Sequence, residues 1–439
     1  GQGVSLKSGV KAAVDPSTAK PDIVLNIRTD QPGRYVIRTQ AAVDEIGREL
    51  MTKARTKHES MFMWISVGDA HATRQVVYVP WSATDNNAQT IAKYDLTRDD
   101  QQIRLWLPAG IRLDFVEALP YVPPAVPDKA KAYQPAIVPP PSRPRIWVNQ
   151  DTLPQVRANL TKGDNLAVWQ KVQEAARQPF DFKPEAGKPV GHDSNLEAAA
   201  VNKAFVYLMT GDKEAGRDAI RLANDYLQAV QFNNLLDITR EIGRAMYAGA
   251  RVYDWCHDLM SDDERASMHK NLMRLADDME IGWPPFKQGV VNGHGSEAQL
   301  FCHLLSMAIA IYDEDPVPYK YCAYRILEEL VPMRNFEYQS PRHHQGIGYG
   351  IYRFTWDMHA AWLMYRMSGQ RIFDTNIEAV HNYWLYMRLP GGKSFPDGDG
   401  NVDDRRTNYG PLSLMTAAYA NDPLMYEIYK QQGGLPTDP

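Results

Sequence analysis

The hydrophobic period of this chain changes once, and that change limits what it can become. From about residue 20 to residue 121 apolar residues alternate with polar ones. Beyond residue 146 they recur with a helical period for about 290 residues. The later segments, such as "NLEAAAVNKAFVYLMTGDKEAGRDAIRLANDYLQAV", "DITREIGRAMYAGARVYDWCHDLM" and "SDDERASMHKNLMRLADDME", are amphipathic and joined by short turns like "TGDKE" and "MSGQR". Successive antiparallel helix pairs follow. Such a run of hairpins builds either an open solenoid or a closed α/α toroid, and periodicity does not choose between them. One stretch looks like a tetratricopeptide unit, yet nothing at a fixed spacing repeats it, so a regular repeat array is the weaker architecture.

The first part reads as strands: "DIVLNIRT", "RYVIRT", "MFMWISVG", "RQVVYVPW" and "QIRLWLPAGIRLDFVEALPY", separated by Gly, Pro, Asp and Asn. A small β-sandwich over residues 1–121 is expected. Residues 120–144 then hold nine of the 30 prolines. Proline fixes φ and lacks the backbone donor, so this stretch stays extended, as a linker over 122–145 or an arm lying on a neighbour. A helical domain over 146–439 completes the organisation.

Composition narrows the function classes. With 439 residues, 44% hydrophobic and 23% charged, the chain supports two domains or one large one and is not a disordered sequence. A formal net charge of −5 gives no bulk attraction for nucleic acid or an anionic membrane, so any polyanion site must be local. No apolar run approaches the roughly 20 residues that span a bilayer, and the opening "GQGVSLKSG" lacks the apolar core of a signal peptide, which a processed protein would have lost. Cys256, Cys302 and Cys322 are odd in number, form no CxxC pair and read as core thiols.

Chemistry-bearing residues concentrate between 290 and 406. "VVNGHGSEAQLFCHLLSMAIAIYDEDP" carries His294 and Glu297 at the mouth of a helix, with Asn292 or Ser296 as its cap. Residues three apart on a first turn share a face, so both side chains can enter one cavity. "FEYQSPRHHQGIGYGIYRF" places His343, His344, Tyr349, Tyr352 and Arg353 around a glycine-rich turn ahead of a helix expected to begin near Thr355. "SFPDGDGNVDDRRTNYG" offers Asp397, Asp399, Asn401 and Asp403. As a calcium loop it has Val402 where glycine is required and Asn408 where a bidentate Glu is required, which leaves a polar loop at a cavity rim or a divalent-cation site of lower affinity near Asp397–Asp403. His294, Glu297 and His303 do not form HExxH, so zinc is not indicated.

"DITREIGRAMYAGARVYDWC", "NGHGSEAQLFCHLLSMAIAIYDEDP" and "HHQGIGYGIYRF", in that order and at these separations, resemble the catalytic helical domain of the heparinase II/III-like polysaccharide lyases, nearest the heparinase II branch. The similarity covers roughly residues 146–425. It implies a mainly α fold, an α/α toroid preceded here by a β module, whose groove cleaves uronate-containing, glycosaminoglycan-like polysaccharide by β-elimination. By this resemblance Tyr349 is the catalytic tyrosine, His294 and Glu297 are the catalytic histidine and substrate-facing glutamate, and Asn292 lies near the uronate. His343, His344, Arg240, Arg353, Asp399 and Arg405 are further candidates for substrate binding. No cofactor is implied, and a secreted or periplasmic setting of bacterial type is. Lyases of this group continue into a C-terminal β-sandwich that closes over the toroid and adds a histidine. A further domain or companion chain is therefore an expected partner, with His343 or His344 as a substitute for that histidine.

These residue types suit elimination on chemical grounds. The C5 proton of a uronate is removable only if its carboxylate is neutralised as an enediolate develops. Asn292, a protonated His294 and a Glu297 held protonated can share that task. A base must take the proton and an acid must serve the departing oxygen, and a tyrosine can do either, its ordinary pKa near 10 needing a neighbouring cation to fall. The last strands of the N-terminal module, "IRLWLPAGIRLDFVEALPY", resemble carbohydrate-binding jelly-roll modules. Two other functions compete: an α/α-barrel glycoside hydrolase pairing Glu297 with Asp397, Asp399 or Asp403, and a noncatalytic glycan-binding protein with an N-terminal module and a toroid groove that has lost turnover. Unsaturated products separate elimination from hydrolysis.

Overall fold

The structure is a computed structural model. It describes residues 16–57, 61–77, 89–97, 99, 101–185, 188–234, 238–279, 283, 298–389, 394–398 and 410–432. The chain divides into two compact units: residues 1–123 with 184–191 and 229–238, and residues 124–183 with 192–228 and 239–439.

The described residues of the first unit form two antiparallel sheets, one helix and an isolated parallel bridge between Val190 and Val230. Strands β1 (Ile23–Ile27), β6 (Gln101–Trp106), β3 (Phe62–Val67) and β4 (Thr73–Val76) make one sheet in that order, and β5 (Gln89–Leu96), β2 (Gly33–Val43) and β7 (Ile111–Pro120) make the other. Along β2 every second residue from Tyr35 to Ala41 is buried, the alternation expected of a sheet with one covered face. Ile37, Met63, Ile65, Ile91, Leu105 and Leu113 form the core. Helix α1 (Glu45–Thr56) interrupts the strand succession between β2 and β3, where the sequence reading placed no helix. The edge strand β4 is covered by a side chain: Asn234 Oδ1 accepts from the Val76 amide at 2.6 Å, and its Nδ2 donates to the Val76 carbonyl at 3.3 Å.

The second unit is helical. After two short helices, α2 (Asp128–Ala132) and α3 (Leu153–Asn159), come α4 (Asn165–Arg177), α5 (Ser194–Thr210), α6 (Lys213–Ala229), α7 (Thr239–Trp255) and α8 (Asp262–Asp278). A π-helical turn, Gln299–His303, leads into α9 (Leu304–Ala310). A second, Arg325–Leu330, joins α10 (Val317–Tyr324) to α11 (Val331–Glu337). The chain then forms α12 (Gly348–Ser368), α13 (Val380–Tyr386), α14 (Gly410–Ala420) and α15 (Pro423–Gln432). Local signals set several ends. Asp193 caps α5 by accepting from the amides of Asn195 and Leu196, Gly211 ends it in the left-handed region at φ 79°, and Ser261 with Glu264 forms a capping box on α8.

Contacts between alternate helices give the architecture. Arg240 lies over Tyr352 and Tyr247 meets His359, so α7 and α12 run parallel. Gln299 donates to Thr239 at the start of α7, while His303 reaches Tyr247 one turn further, which makes the π turn parallel to both. Trp362 donates to the Met415 carbonyl and Tyr365 meets Tyr419, aligning α14 with α12. Phe205 packs on Trp255, and His192 just ahead of α5 lies within the electrostatic reach of Glu241 and Arg244 in the first turns of α7, so α5 also follows α7. These parallel helices form an inner layer, and the intervening helices return outside it. The first and last hairpins meet: Tyr426 of α15 donates to Asp164, the residue before α4, at 2.5 Å, and Lys430 lies 3.5 Å from the same carboxylate. A solenoid would leave these ends apart. The fold is the expected mainly α toroid with an N-terminal β module.

The proline-rich residues lie on the helical unit as an arm. Tyr133 donates to Glu328, Tyr319 donates to the Ile137 carbonyl, and Arg145 pairs with Asp313 at 2.8 Å. Its main anchor is Asp254 near the end of α7, whose side chain has no solvent exposure. One oxygen accepts from the amides of Arg145 and Ile146 at 2.7 and 2.8 Å, and the other from Arg143 at 3.1 Å. All three cysteines are buried and free, as expected of core thiols. Removing the Asp254 carboxylate strands two amides inside the protein and takes one of two acids from Arg143, which keeps Asp313 at 3.0 Å. Asp254→Ala is expected to lower the free energy of unfolding by about 3–5 kcal/mol, read from urea denaturation of the whole chain.

Candidate functional site

An inner helix of a toroid touches neighbours on both flanks and an outer helix behind, so only a narrow stripe faces the centre. On α12 residues spaced by three or four share a face, which aligns Tyr349, Tyr352, Trp356 and His359. Tyr349 and Tyr352 are 38% and 40% exposed, whereas Phe354, Met358, Ala361 and Leu363 are buried. On α7 the same spacing aligns Arg240, Arg244, Tyr247 and Arg251 in a helix whose other positions are almost all buried. The two stripes meet: Arg240 lies 5.7 Å from the Tyr352 ring, and Tyr247 lies 6.1 Å from His359.

His303, from the π turn, fills the space between them. Its ring meets Trp356 edge-on at 5.2 Å and Tyr247 at 6.4 Å. It fits because position 243 is glycine; a Cβ there would fall 2.0 Å from His303 Nδ1. Burial, helped by His359 and Arg244, pushes the His303 imidazole down to about 3. Burial and the Arg251 charge do the same to His359, also to about 3. Both imidazoles are therefore neutral in ordinary buffers, and the positive charge of this wall comes from arginines.

Below Tyr349 lies a second, structural cluster. His343 is fully buried, stacked on His344 at 4.5 Å and enclosed by Tyr338, Phe354 and Trp384. Burial brings its pKa to about 3. It packs against the start of α12, where a Cβ on Gly350 would lie 3.1 Å from its Nδ1. His344 bonds through Nδ1 to Glu337, which also accepts from Arg334 at 2.8 Å. Arg334 in turn donates to the buried Asp357 at 3.2 Å. Arg342 grips both oxygens of Asp397 at 3.0 and 2.9 Å, Tyr383 donates to the same carboxylate, and the Ile347 amide donates to the Asp397 carbonyl at 2.9 Å. Gly346, at φ 70°, allows that approach, since a Cβ would sit 2.0 Å from the Asp397 carbonyl oxygen.

The residues expected from sequence divide into three groups. Tyr349, Tyr352 and Arg240 lie on the wall of the cleft, and Arg353, largely buried, backs Tyr349 with its guanidinium carbon 5.9 Å from the ring. His343 does not contact a substrate, because its ring is sealed in an aromatic cage, and His344 is committed to Glu337. Asn292, His294, Glu297, Asp399 and Arg405 lie outside the described residues. So do the other acids of the Asp397–Asp403 loop, and Asp397 itself is held by Arg342 and Tyr383; among the described residues no group of His, Cys, Asp or Glu could hold a metal ion. α12 begins at Gly348, not near Thr355, so "GYG" is its first turn, and Gly350 packs closely on His343 within an intact helix. Tyr247, Arg251, Trp356, His303 and His359 were missed, although polar and aromatic positions confined to one stripe of an otherwise buried helix mark a surface facing a cleft.

Comparison with solved structures finds an alginate lyase from Bacteroides ovatus, 11% identical, covering 66% of this chain and 96% of that one with a TM-score of 0.42. It also finds a ruminal GH26 endo-β-1,4-mannanase, 12% identical, covering 56% and 63% with a TM-score of 0.19. No protein-family model and no curated protein matches the sequence.

Two measurements check this geometry. Gly243→Ala should cost about 1–3 kcal/mol in thermal unfolding through overpacking against His303, and Gly243→Ala with His303→Ala should cost less than the sum of the single changes. Burial alone would raise the Glu337 pKa, but its bond to His344 and the Arg334 charge outweigh that and bring it from 4.5 to about 2. The stabilisation from this carboxylate is complete above the unfolded value of 4.5 and is lost as pH falls towards 2. Glu337→Gln should flatten the acid limb of a stability–pH profile across that window.

Proposed function

We propose that the cleft takes an acidic, uronate-containing polysaccharide and cleaves it by β-elimination, in the manner of the heparinase II/III-like lyases. The observation that carries this reading is the position of Tyr349. Its phenol is accessible on the first turn of an inner helix, with Arg353 behind the ring and Tyr352 and Arg240 next along the wall.

Elimination breaks the C5–H and C4–O bonds of the sugar chain and forms a C4–C5 double bond. Tyr349 serves as the group that takes the C5 proton as phenolate and returns a proton to the departing glycosidic oxygen. Arg353 lies behind the Tyr349 ring and Arg240 over that of Tyr352, while His303 and His359 remain neutral. Asn292, His294 and Glu297 are assigned from sequence to the uronate carboxyl, where hydrogen-bond donors offset the charge that builds up on the enediolate. Tyr352 presents an open aromatic face suited to a sugar ring.

The test is a panel of heparan sulfate, chondroitin sulfate, hyaluronan and alginate, followed by the absorbance of the unsaturated uronate. Tyr349→Phe should lower turnover by about 10²–10⁴-fold with little change in the melting temperature. Wild-type turnover in that variant would sink the role of Tyr349. Products with new reducing ends and no unsaturation would replace the lyase by a hydrolase.

A further inference from the structure

The far end of the same wall, away from Tyr349, carries a group that the elimination step does not use. Arg251 is half-buried, its Nε is enclosed without a partner, and among the described residues no hydrogen bond or ion pair holds its guanidinium. It rests only on the face of Tyr247, at 4.1 Å. An arginine keeps its charge under any ordinary condition, and withdrawing that charge from water without a counter-ion is costly. The buried Arg145, Arg325 and Arg334 of this unit are paired, with Asp313, with Glu329, and with Glu337 and Asp357, whereas the half-buried Arg366, on the face of Trp362 at 4.8 Å, resembles Arg251 in resting on a ring.

What surrounds Arg251 is built. Trp147 donates through Nε1 to the Tyr247 hydroxyl and meets His359 edge-on at 5.3 Å, and His359 Nδ1 lies 3.4 Å from Cys302 Sγ. Trp147 has φ of 65°, a left-handed conformation that a bulky residue adopts only when its surroundings impose it. The imposing contacts are the Asp254 clamp on the amides of Arg145 and Ile146 and the bond from Trp255 Nε1 to the Ile146 carbonyl at 3.1 Å. The arm is thus held against α7 so that one indole, one phenol, one neutral imidazole and one unpaired cation converge.

We infer that Arg251, with Tyr247, Trp147 and His359, forms a subsite for the carboxylate of a uronate residue a few sugars away from the bond cleaved at Tyr349. Tyr349 and His359 are ten residues apart on one helix, about 15 Å along its axis, so the two sites engage different sugars of one chain. The guanidinium takes the carboxylate through paired N–H donors, and the aromatic rings take the sugar face. This deepens the reading of the cleft as a polysaccharide groove, and its test needs no turnover.

The tryptophan fluorescence of the whole protein is titrated with sodium glucuronate, with glucose and sodium sulfate as controls, in the wild type, Arg251→Gln and Tyr349→Phe. Glucuronate should give a saturable change that weakens by about tenfold or more in Arg251→Gln and is retained in Tyr349→Phe. The melting temperature of Arg251→Gln should be unchanged or higher, because an uncompensated charge has been removed. Equal affinity in the wild type and Arg251→Gln, absence of a saturable change in the wild type, or a melting temperature that falls with the substitution would overturn the subsite. Sulfate or glucose binding as tightly as glucuronate would overturn its assignment to a sugar acid. If the titration succeeds and no polysaccharide is cleaved, the subsite stands and the lyase reading falls.

Discussion

A carboxylate with no access to solvent organises the helical unit. Asp254 belongs to an inner helix, and its acceptors are used by the backbone and side chain of a segment more than a hundred positions earlier. Proline-rich chain has few amides to offer and little tendency to pack on its own. Two consecutive amides and one guanidinium on a single acid therefore decide where the arm runs. The same contacts orient Trp147, whose ring bonds to Tyr247 on the helix that Asp254 caps off. Stability of the unit and the shape of one end of the cleft depend on one interaction.

Packing density does the rest. Glycine or alanine occupies much of α7, and a Cβ added at Gly249 would meet Leu227 at 2.8 Å, as one at Gly243 would meet His303. Small residues let the helix be approached from three sides, and the fourth is left to large polar and aromatic groups. Two histidines enter that side without bringing charge, because burial keeps them neutral. The cleft wall is in this way cationic through groups that cannot lose a proton and aromatic through rings with one open face.

The change from strands to helices was legible in the sequence because it rests on hydrophobic period, proline content and turn residues, all of them local, whereas the clustering of residues 184–191 and 229–238 with the strand unit was not. Tyr349 was singled out as a polar position ahead of a helical run, whereas it stands on the first turn of α12. The burial of the adjacent His343 was not legible: two histidines beside glycines look like an exposed loop, and only the closure of Tyr338, Phe354 and Trp384 around the ring makes it core. Arg240 was singled out, but Tyr247 and Arg251 further along the same stripe were not, since an amphipathic helix normally turns its arginines outward to solvent and its small face inward. In an inner helix that rule inverts, and which helices are inner is decided by contacts between residues far apart in sequence. His294 and Glu297 stand on motif alone.

The parallel course of α5, α7, α12 and α14 has an electrostatic consequence of its own. Each helix carries a macrodipole, equivalent to roughly half a positive charge at its N-terminus and half a negative charge at its C-terminus. Helices that all run one way add these ends together, so the rim near Arg240 and Tyr349 gathers amino-terminal ends and the opposite rim gathers carboxyl-terminal ones. Left to the backbone, the potential along the cleft would change sign from one mouth to the other, and an extended polyanion would be repelled over half its length. Arg251 stands in the half where the backbone contribution is unfavourable. Its guanidinium sets a positive charge among the carboxyl-terminal ends of these helices.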